Sequence, residues 1–147
     1  MSLRARQLFT IIAVLAVLGI VVSSVSLQHH YAKSKTSYCD FGESFNCDLV
    51  NRSQYSSIAG IPVAMIGIAG YIALLALATF YREKAETPGM LVLASAGGLA
   101  FALYLTYVEG FILQAWCILC LSSLTTIFLI TLLSVLLLTH TMRRSSQ

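Results

Sequence analysis

The sequence contains four cysteines, and their spacing is its most chemically informative feature. Cys117 and Cys120 form a C-x-x-C motif, and Cys39 and Cys47 form a C-x7-C motif earlier in the chain. If a helix begins near Trp116, both cysteines of the C-x-x-C occupy its first turn with their sulfurs close enough to bond. The unpaired N–H groups at a helix N-terminus favour a thiolate, the reactive species in thiol–disulfide exchange. The spacing therefore predicts redox chemistry.

Other uses of the same cysteines stay open from spacing alone. Cys39 and Cys47 could close an inert structural disulfide across a polar loop whose Gly42 and Asn46 suit a turn. All four cysteines together could supply a tetrahedral zinc site. Two pairs on one side of a membrane favour exchange between the pairs, and we expect no metal.

Long apolar runs flank the segments that carry the cysteines. The chain has 147 residues, of which 58% are hydrophobic and only 10% charged, against about 25% charged in a soluble domain. A membrane-spanning helix needs about 20 apolar residues. The sequence therefore predicts an all-α integral membrane protein, a single domain over 1–147 folded as a four-transmembrane-helix bundle with an extramembrane cysteine loop. The predicted spans are about 8–27, 60–81, 90–107 and 116–139, connected by the outer loop 28–59, the cytoplasmic loop 82–89 and the outer loop 108–115, and followed by the cytoplasmic tail 140–147.

The distribution of Lys and Arg predicts the orientation of these spans. Six of the nine basic residues lie at the two termini and in the central loop: Arg4, Arg6, Arg82, Lys84, Arg143 and Arg144. We expect both termini in the cytoplasm and all four cysteines on the opposite side, where disulfides persist. As an alternative, the first apolar run could be a signal peptide cleaved near Ser24 and Ser26.

Electrons that leave a C-x-x-C at the membrane edge need an acceptor. The sequence has no Gly-rich dinucleotide fingerprint and no haem-binding C-x-x-C-H motif. A quinone dissolved in the bilayer needs only an apolar pocket beside a sulfur. Aromatic residues near this membrane face are interfacial anchors or pocket walls: Tyr55, Tyr104, Tyr107, Phe111 and Trp116.

For several other residues near this face, the sequence predicts mainly structural roles. Glu109 is expected to be a solvated loop carboxylate, although it could supply a proton. His29 and His30 are expected in the interfacial loop rather than at a metal. Small residues in the second and third spans predict close helix packing: Gly60, Gly67, Gly70, Ala94, Gly97 and Gly98.

Four segments follow one another in a characteristic order from Cys39 to Cys120. They are Cys39-Asp-Phe-Gly-Glu-Ser-Phe-Asn-Cys47, Ser53-Gln-Tyr55, Gly60-Ile-Pro-Val-Ala-Met-Ile-Gly67-Ile-Ala-Gly-Tyr71 and Trp116-Cys117-Ile-Leu-Cys120. This ordered set closely resembles the vitamin K epoxide reductase family, in particular its bacterial members.

The resemblance implies a helix bundle around a quinone, with Cys117 and Cys120 as the active-site pair and Cys120 beside the quinone ring. It implies that Cys39 and Cys47 form the shuttle pair, which accepts electrons from a thioredoxin-like periplasmic protein. Ser53 would lie near the quinone. Some family members carry the partner fused at the C-terminus, and since this chain ends at Gln147 we expect a separate partner.

Two positions depart from the animal members of the family. An asparagine and a tyrosine that contact the vitamin K head group there correspond to Val63 and Leu124, which cannot donate a hydrogen bond. This favours reduction of a quinone, either ubiquinone or menaquinone, over reduction of an epoxide. The expected quinone contacts are Ser53, Tyr55, Val63, Trp116 and Leu124. The other membrane thiol–quinone family carries its C-x-x-C in the first outer loop, whereas here it comes second.

The sequence thus predicts a quinone-dependent thiol oxidoreductase in a bacterial inner membrane. Its expected partners are the thioredoxin-like protein, the quinone and the bilayer, without nucleic acid. Two alternatives stay open: a vitamin K epoxide reductase in the strict sense, and a non-catalytic membrane protein with two structural disulfides.

Overall fold

The computed structural model describes residues 2–31, 42 and 44–147, most of them helical. Cys39 lies outside these residues, so its predicted shuttle role stays a prediction. In chain order the elements are α1 (Leu3–Tyr31), α2 (Cys47–Arg52), a 3-10 turn (Gln54–Ser56), β1 (Ser57–Ile58), β2 (Ile61–Pro62), α3 (Val63–Thr79), α4 (Thr87–Tyr107), a π-helical segment (Val108–Leu113) and α5 (Ile118–Ser145).

Within the described residues, three helices are long and apolar enough to cross a bilayer: Leu3–Tyr31, Thr87–Leu113 and Ile118–Ser145. Helix α3 is apolar but has only 17 residues, a length of about 26 Å against about 30 Å for the hydrocarbon core. The predicted span 60–81 is longer than α3 because residues 60–62 belong to the apolar run but form part of the β-hairpin.

The other helices extend beyond their predicted ends. Helix α1 continues into the predicted loop 28–59, and α5 continues past residue 139. The predicted outer loop 108–115 is wrong over most of its length, because Val108–Leu113 continues α4 as a π-helix. Polar residues end an apolar run, but a helix ends only where its backbone hydrogen bonds stop. Here that point is Gln114, which has a left-handed conformation with φ 51°.

Apolar packing holds α1 against α3 and α5, and α4 against α5. Fully buried side chains in this core include Ile12, Leu91 and Ile130. Tyr71 of α3 lies so close to α1 that a Cβ atom at Gly19 would be only 2.3 Å from its ring. The two helices can therefore approach this closely only because residue 19 is a glycine.

The small residues predicted to pack helices fall into three structural roles. Gly67 packs on α1 and Gly98 packs on α5, as expected. Gly70 and Gly97 instead border an open cavity between the helices. Gly60 is not a packing residue: it forms, with φ 82°, the second position of the two-residue turn between β1 and β2, where a left-handed backbone favours glycine.

Two segments pair at the end of the bundle that carries the cysteines. The Trp116 N–H donates to the Ser44 carbonyl at 2.8 Å, and the Asn46 N–H donates to the Trp116 carbonyl at 3.1 Å. The Asn46 side chain then caps α2 by accepting the Leu49 N–H at 2.9 Å. This pairing sets the start of α2 beside the start of α5.

Candidate functional site

The C-x-x-C motif lies at the N-terminus of α5. Cys117 is the N-cap residue, with an extended backbone (φ −110°, ψ 117°), and Cys120 lies in the first turn. The sequence predicted a helix that begins near Trp116 and holds both cysteines in its first turn. The helix begins at Ile118 instead, because the backbone of Trp116 is paired with the segment that leads into α2.

Both cysteines of this motif carry free thiols. Cys117 is fully buried and Cys120 is half-buried. A hydrogen bond from the Cys120 thiol lowers the pKa of Cys117, which precedes α5 and so lies outside the candidate membrane-spanning segment. The pair therefore favours a thiolate on Cys117, the species that exchanges with disulfides.

Cys47, the first residue of α2, lies in the same buried cluster as Cys117. Cys47 is fully buried and disulfide-bonded, and Val50 and Ala115 share the cluster. Asn51, one helical turn later, donates from Nδ2 to the Cys47 carbonyl at 3.0 Å, and the same Nδ2 lies 3.9 Å from the Cys117 Sγ. The structure thus brings one cysteine of each predicted pair together.

A cavity of about 390 Å³ lies between the helices next to Cys120. Its wall is mostly apolar, and its volume falls in the range of about 300–1,000 Å³ typical of sites for small organic ligands. Cys120 is part of the wall, whereas Cys117 is not among the described residues that line it. Cys120 also packs against the cluster of Cys47 and Cys117, so it borders both the cavity and this cluster.

Three of the five predicted quinone contacts line this cavity and two do not. Ser53, Tyr55 and Val63 line it, but Trp116 and Leu124 are not among the described lining residues. The ring of Trp116 instead packs over Gly110, where a Cβ would lie 3.1 Å from the indole. The packing therefore does not support the predicted contact of Trp116 and Leu124 with a ligand in this cavity.

The remaining aromatic residues near this end lie on the outside of the bundle. Tyr104, Tyr107 and Phe111 are all exposed, and Phe111 is 74% exposed. The rings of Tyr107 and Phe111 stack with their centroids 4.9 Å apart. Large exposed aromatic rings at the end of an apolar helix suit the interfacial anchoring that the sequence favoured for them.

The expectation of a solvated Glu109 is wrong. The π-helical segment turns this side chain inward, where it is only 2% exposed and lines the cavity with Cys120. Its Oε2 accepts the Cys117 N–H at 3.1 Å, while Oε1 has no hydrogen-bond partner among the described residues. A buried unsatisfied polar atom costs about 1–3 kcal/mol, and π-helical turns occur frequently at functional sites.

Other polar groups of the cavity wall were given no role by the sequence analysis. The Tyr71 hydroxyl and the Ser123 Oγ are 2.9 Å apart, and Ser26 Oγ donates to Asn51 Oδ1 at 2.7 Å. The wall therefore offers hydrogen-bonding groups that Val63 cannot provide. Asn51 follows Cys47 by four residues, on the same helical face, and this spacing is the only sequence signal that pointed to it.

The two histidines lie in the last turn of α1 rather than in a loop. His29 is 1% exposed, and its Nδ1 lies 3.4 Å from Asp48 Oδ1. The His30 Nδ1 contacts the Asn51 carbonyl and lies 3.3 Å from the Ser56 hydroxyl. The expectation of interfacial loop residues is therefore wrong, because α1 extends far enough to cover α2.

A sequence model of the vitamin K epoxide reductase family matches residues 10–135. The chain belongs to this family. Family members are membrane-bound oxidoreductases that act on thiols and disulfides, use quinones and work with thioredoxin-like proteins. The matched region contains both cysteine motifs and every described residue that lines the cavity, Glu109 included.

Family membership indicates which chemistry the residues of this site are suited to. Oxidoreductases of this family act on thiols and disulfides, and the C-x-x-C of this chain is a pair of free thiols beside the cavity. The apolar cavity beside Cys120 is of a size and polarity to hold a quinone ring. The long apolar helices agree with the membrane location of the family.

Proposed function

We propose that this protein is a membrane thiol–quinone oxidoreductase that reoxidises a thioredoxin-like partner and so supports disulfide formation in exported proteins. One observation carries the proposal. Cys120 lines an apolar cavity, while Cys117, three residues away, is packed in a buried cluster with Cys47. A dithiol that borders both an apolar cavity and a disulfide-bonded cysteine is suited to pass electrons from that cysteine's pair to a ligand in the cavity.

The proposed location is a bacterial inner membrane crossed by four helices, α1, α3, α4 and α5. The excess of Lys and Arg at the termini and in the central loop supports cytoplasmic termini. The cysteine motifs then face the periplasm, where disulfides persist. The short α3 would span this membrane together with the hairpin that precedes it.

The proposed relay has three exchanges. A dithiol of the partner reduces the Cys39–Cys47 disulfide and becomes a disulfide itself. A shuttle thiolate then attacks Cys117, opens the Cys117–Cys120 disulfide through a mixed disulfide and closes the shuttle pair again. The released Cys120 and Cys117 re-form their disulfide and pass two electrons to the quinone, which leaves as quinol.

The proposed quinone site is the cavity beside Cys120. Ser53 and Tyr55 offer hydroxyl groups to a quinone oxygen, and Val63 contributes apolar surface. Asn51 and Tyr71 add polar groups in the same wall. Ubiquinone and menaquinone both fit these requirements, and competition between their short-chain analogues would identify the preferred one.

Anaerobic mixing tests the proposal directly. The purified protein is reduced, freed of reductant and mixed with a ubiquinone or menaquinone analogue, and quinol formation is followed by absorbance. We expect two quinols per fully reduced protein, one from each cysteine pair of the relay, and no quinol with Cys117→Ala or Cys120→Ala. Full quinol formation by either variant would refute the assignment of the active-site pair.

The same preparation discriminates the two alternatives. A vitamin K epoxide reductase in the strict sense would convert the epoxide when reduced, whereas we expect quinone reduction only. A protein with two structural disulfides would keep them oxidised whatever the state of the quinone. Trapping the thiols with an alkylating reagent after quinol addition reports this state.

A further inference from the structure

Glu109 is a buried ionisable group of the cavity wall that the proposed relay leaves unused. It is 2% exposed and borders the cavity beside Cys120. One of its oxygens, Oε2, is held by the Cys117 N–H. The other, Oε1, is buried and has no hydrogen-bond partner among residues 2–31, 42 and 44–147. The carboxyl group is thus fixed in position with one oxygen still available.

The Cys120 thiol lies beside this carboxyl group and interacts with it. The Cys120 thiol also contacts Cys117 and donates its hydrogen bond to the Cys117 sulfur. When the thiolate is on Cys117, the remaining proton of the pair is on Cys120. This proton must leave before the two sulfurs can form a disulfide, and Glu109 is the nearest carboxylate described.

We propose that Glu109 is a catalytic residue that accepts the proton of the Cys120 thiol and delivers it to an oxygen of the quinone. This inference rests on the proposed function for its second half, the delivery to the quinone. Its first half, the proton exchange between Glu109 and the active-site thiols, concerns residues of this chain alone. Glu109 lies beside the Cys120 thiol and borders the same cavity, a position that serves both halves.

The step is balanced in bonds, electrons and protons. The S–H bond of Cys120 breaks and its proton goes to Glu109. The Cys117 thiolate forms the S–S bond with Cys120, and two electrons pass to the quinone. Glu109 gives its proton to one quinone oxygen. Water supplies a proton to the other quinone oxygen, and this proton balances the one that Cys117 lost to water when it ionised.

A purely structural role for Glu109 makes a different prediction. The amide oxygen of a glutamine also accepts the Cys117 N–H, so Glu109→Gln would preserve the contact that holds the start of α5. A proton carrier, in contrast, is lost on the same substitution and is partly restored in Glu109→Asp. Glu83→Gln is the matched control, since Glu83 is exposed in the turn between α3 and α4.

The first measurement is a single turnover of reduced protein with decylubiquinone. General acid–base catalysis contributes about 10²–10⁴-fold to a rate, so we expect Glu109→Gln to be at least about 100-fold slower than the wild type. Glu109→Asp should recover part of the rate, and Glu83→Gln should match the wild type. A Glu109→Gln rate close to that of the wild type overturns the proposal.

The second measurement needs no quinone. Iodoacetamide labelling of the reduced protein is followed against pH, with the modified cysteine assigned by mass spectrometry. The other ionisable groups in the described cavity wall are His30, Tyr55 and Tyr71, and all are retained in the variants. A carboxylate beside a thiol disfavours the thiolate, so Cys117 labelling should begin at lower pH in Glu109→Gln than in the wild type.

The two measurements test the proton exchange with Glu109 and the delivery of the proton to the quinone separately. If the wild-type dithiol reduces no quinone, the proposed function fails, and the labelling profile alone decides whether Glu109 is the proton acceptor. An unchanged labelling profile in Glu109→Gln shows that no negative charge is available beside the thiols and overturns the proton exchange itself. A shifted profile together with an undiminished quinone rate overturns the delivery step.

Discussion

The two ends of the helix bundle are built from different kinds of buried side chain. The end remote from the cysteines, here called the apolar end, is packed mainly by aliphatic and aromatic groups, with the small hydroxyl residues Thr87 and Ser134 buried among them: Phe9, Ile12, Leu91, Ile130 and Leu137. The other, here called the cysteine end, buries polar and reactive groups: Ser26, Cys47, Asn51, Glu109 and Cys117. Burying polar groups costs free energy unless they are paired. Apolar packing at the apolar end therefore offsets the free energy that the polar groups at the cysteine end cost.

This contrast separates the consequences of substitution at the two ends. Changes at the apolar end should alter stability and leave the thiol chemistry of the folded protein intact. Changes at the cysteine end should alter chemistry and leave the bundle folded. Four predictions test the contrast, in order of decreasing expected effect.

The largest effect is expected for Cys47→Ala. Loss of a shuttle cysteine should lower quinone reduction driven by a thioredoxin-like partner by at least about 100-fold, since a protein dithiol cannot reach the buried Cys117. Dithiothreitol, a small dithiol, should still support turnover. The measurement is quinol formation with each donor, and an equal loss with both donors would contradict a shuttle role.

Gly19→Ala should destabilise the packing of α1 on α3. The added Cβ would lie 2.3 Å from the Tyr71 ring, and overpacking of this kind costs about 1–3 kcal/mol. We expect a lower unfolding midpoint in detergent, measured by circular dichroism during heating. Gly89→Ala is the control, because a Cβ at Gly89 meets nothing within 4 Å; equal destabilisation by both would count against close packing of α1 on α3.

Gly97→Leu should fill part of the cavity without touching the cysteines. A Cβ at Gly97 meets nothing within 4 Å, and the residue borders the cavity. We expect the KM for decylubiquinone to rise about tenfold, a loss of about 1.4 kcal/mol in binding, with thiol labelling unchanged. Gly89→Leu adds the same side chain outside the lining, and its KM should stay at the wild-type value. An unchanged KM for Gly97→Leu would place the quinone elsewhere.

The smallest effect is expected in the pH dependence of Cys117 labelling. The Cys120 thiol lowers the pKa of Cys117 by donating a hydrogen bond to it, so the wild-type thiolate persists to lower pH than an ordinary cysteine. Removing the donor in Cys120→Ala should therefore move the labelling midpoint to higher pH. Iodoacetamide labelling rates against pH measure the shift, and a move to lower pH would show that the hydrogen bond has no such influence.

The elements that could be predicted were those with a local signal. Apolar runs located all the long helices, because the hydropathy of a segment does not depend on its neighbours in space. Their ends were less accurate, as at the predicted loop 108–115, because a π-helix and a left-handed Gln114 leave no mark on hydropathy. Gly60 was misassigned for the related reason that an apolar hairpin turn resembles the start of a span.

At the candidate site, too, local sequence signals were predictive and details of packing were not. The cysteine motifs and Ser53, Tyr55 and Val63 were identified from spacing and from the resemblance, and the last three line the cavity. Trp116, from the C-x-x-C motif, and Leu124, matched to a tyrosine of the animal enzymes, do not line it among the described residues, and the Trp116 ring packs on Gly110 instead. Motif membership thus predicted the neighbourhood of the site more accurately than its individual contacts.

The sequence by itself determined the class of the protein, its family and the pairing of its cysteines in two motifs, because composition, motif order and cysteine spacing are properties of the chain alone. Only the tertiary structure decided that Glu109 is buried beside the thiols of the C-x-x-C and that Asn51 lies near Cys117, 66 residues away along the chain. Such contacts depend on how separate helices pack, and a carboxylate in a short polar segment looks the same in sequence whether it faces water or a cavity.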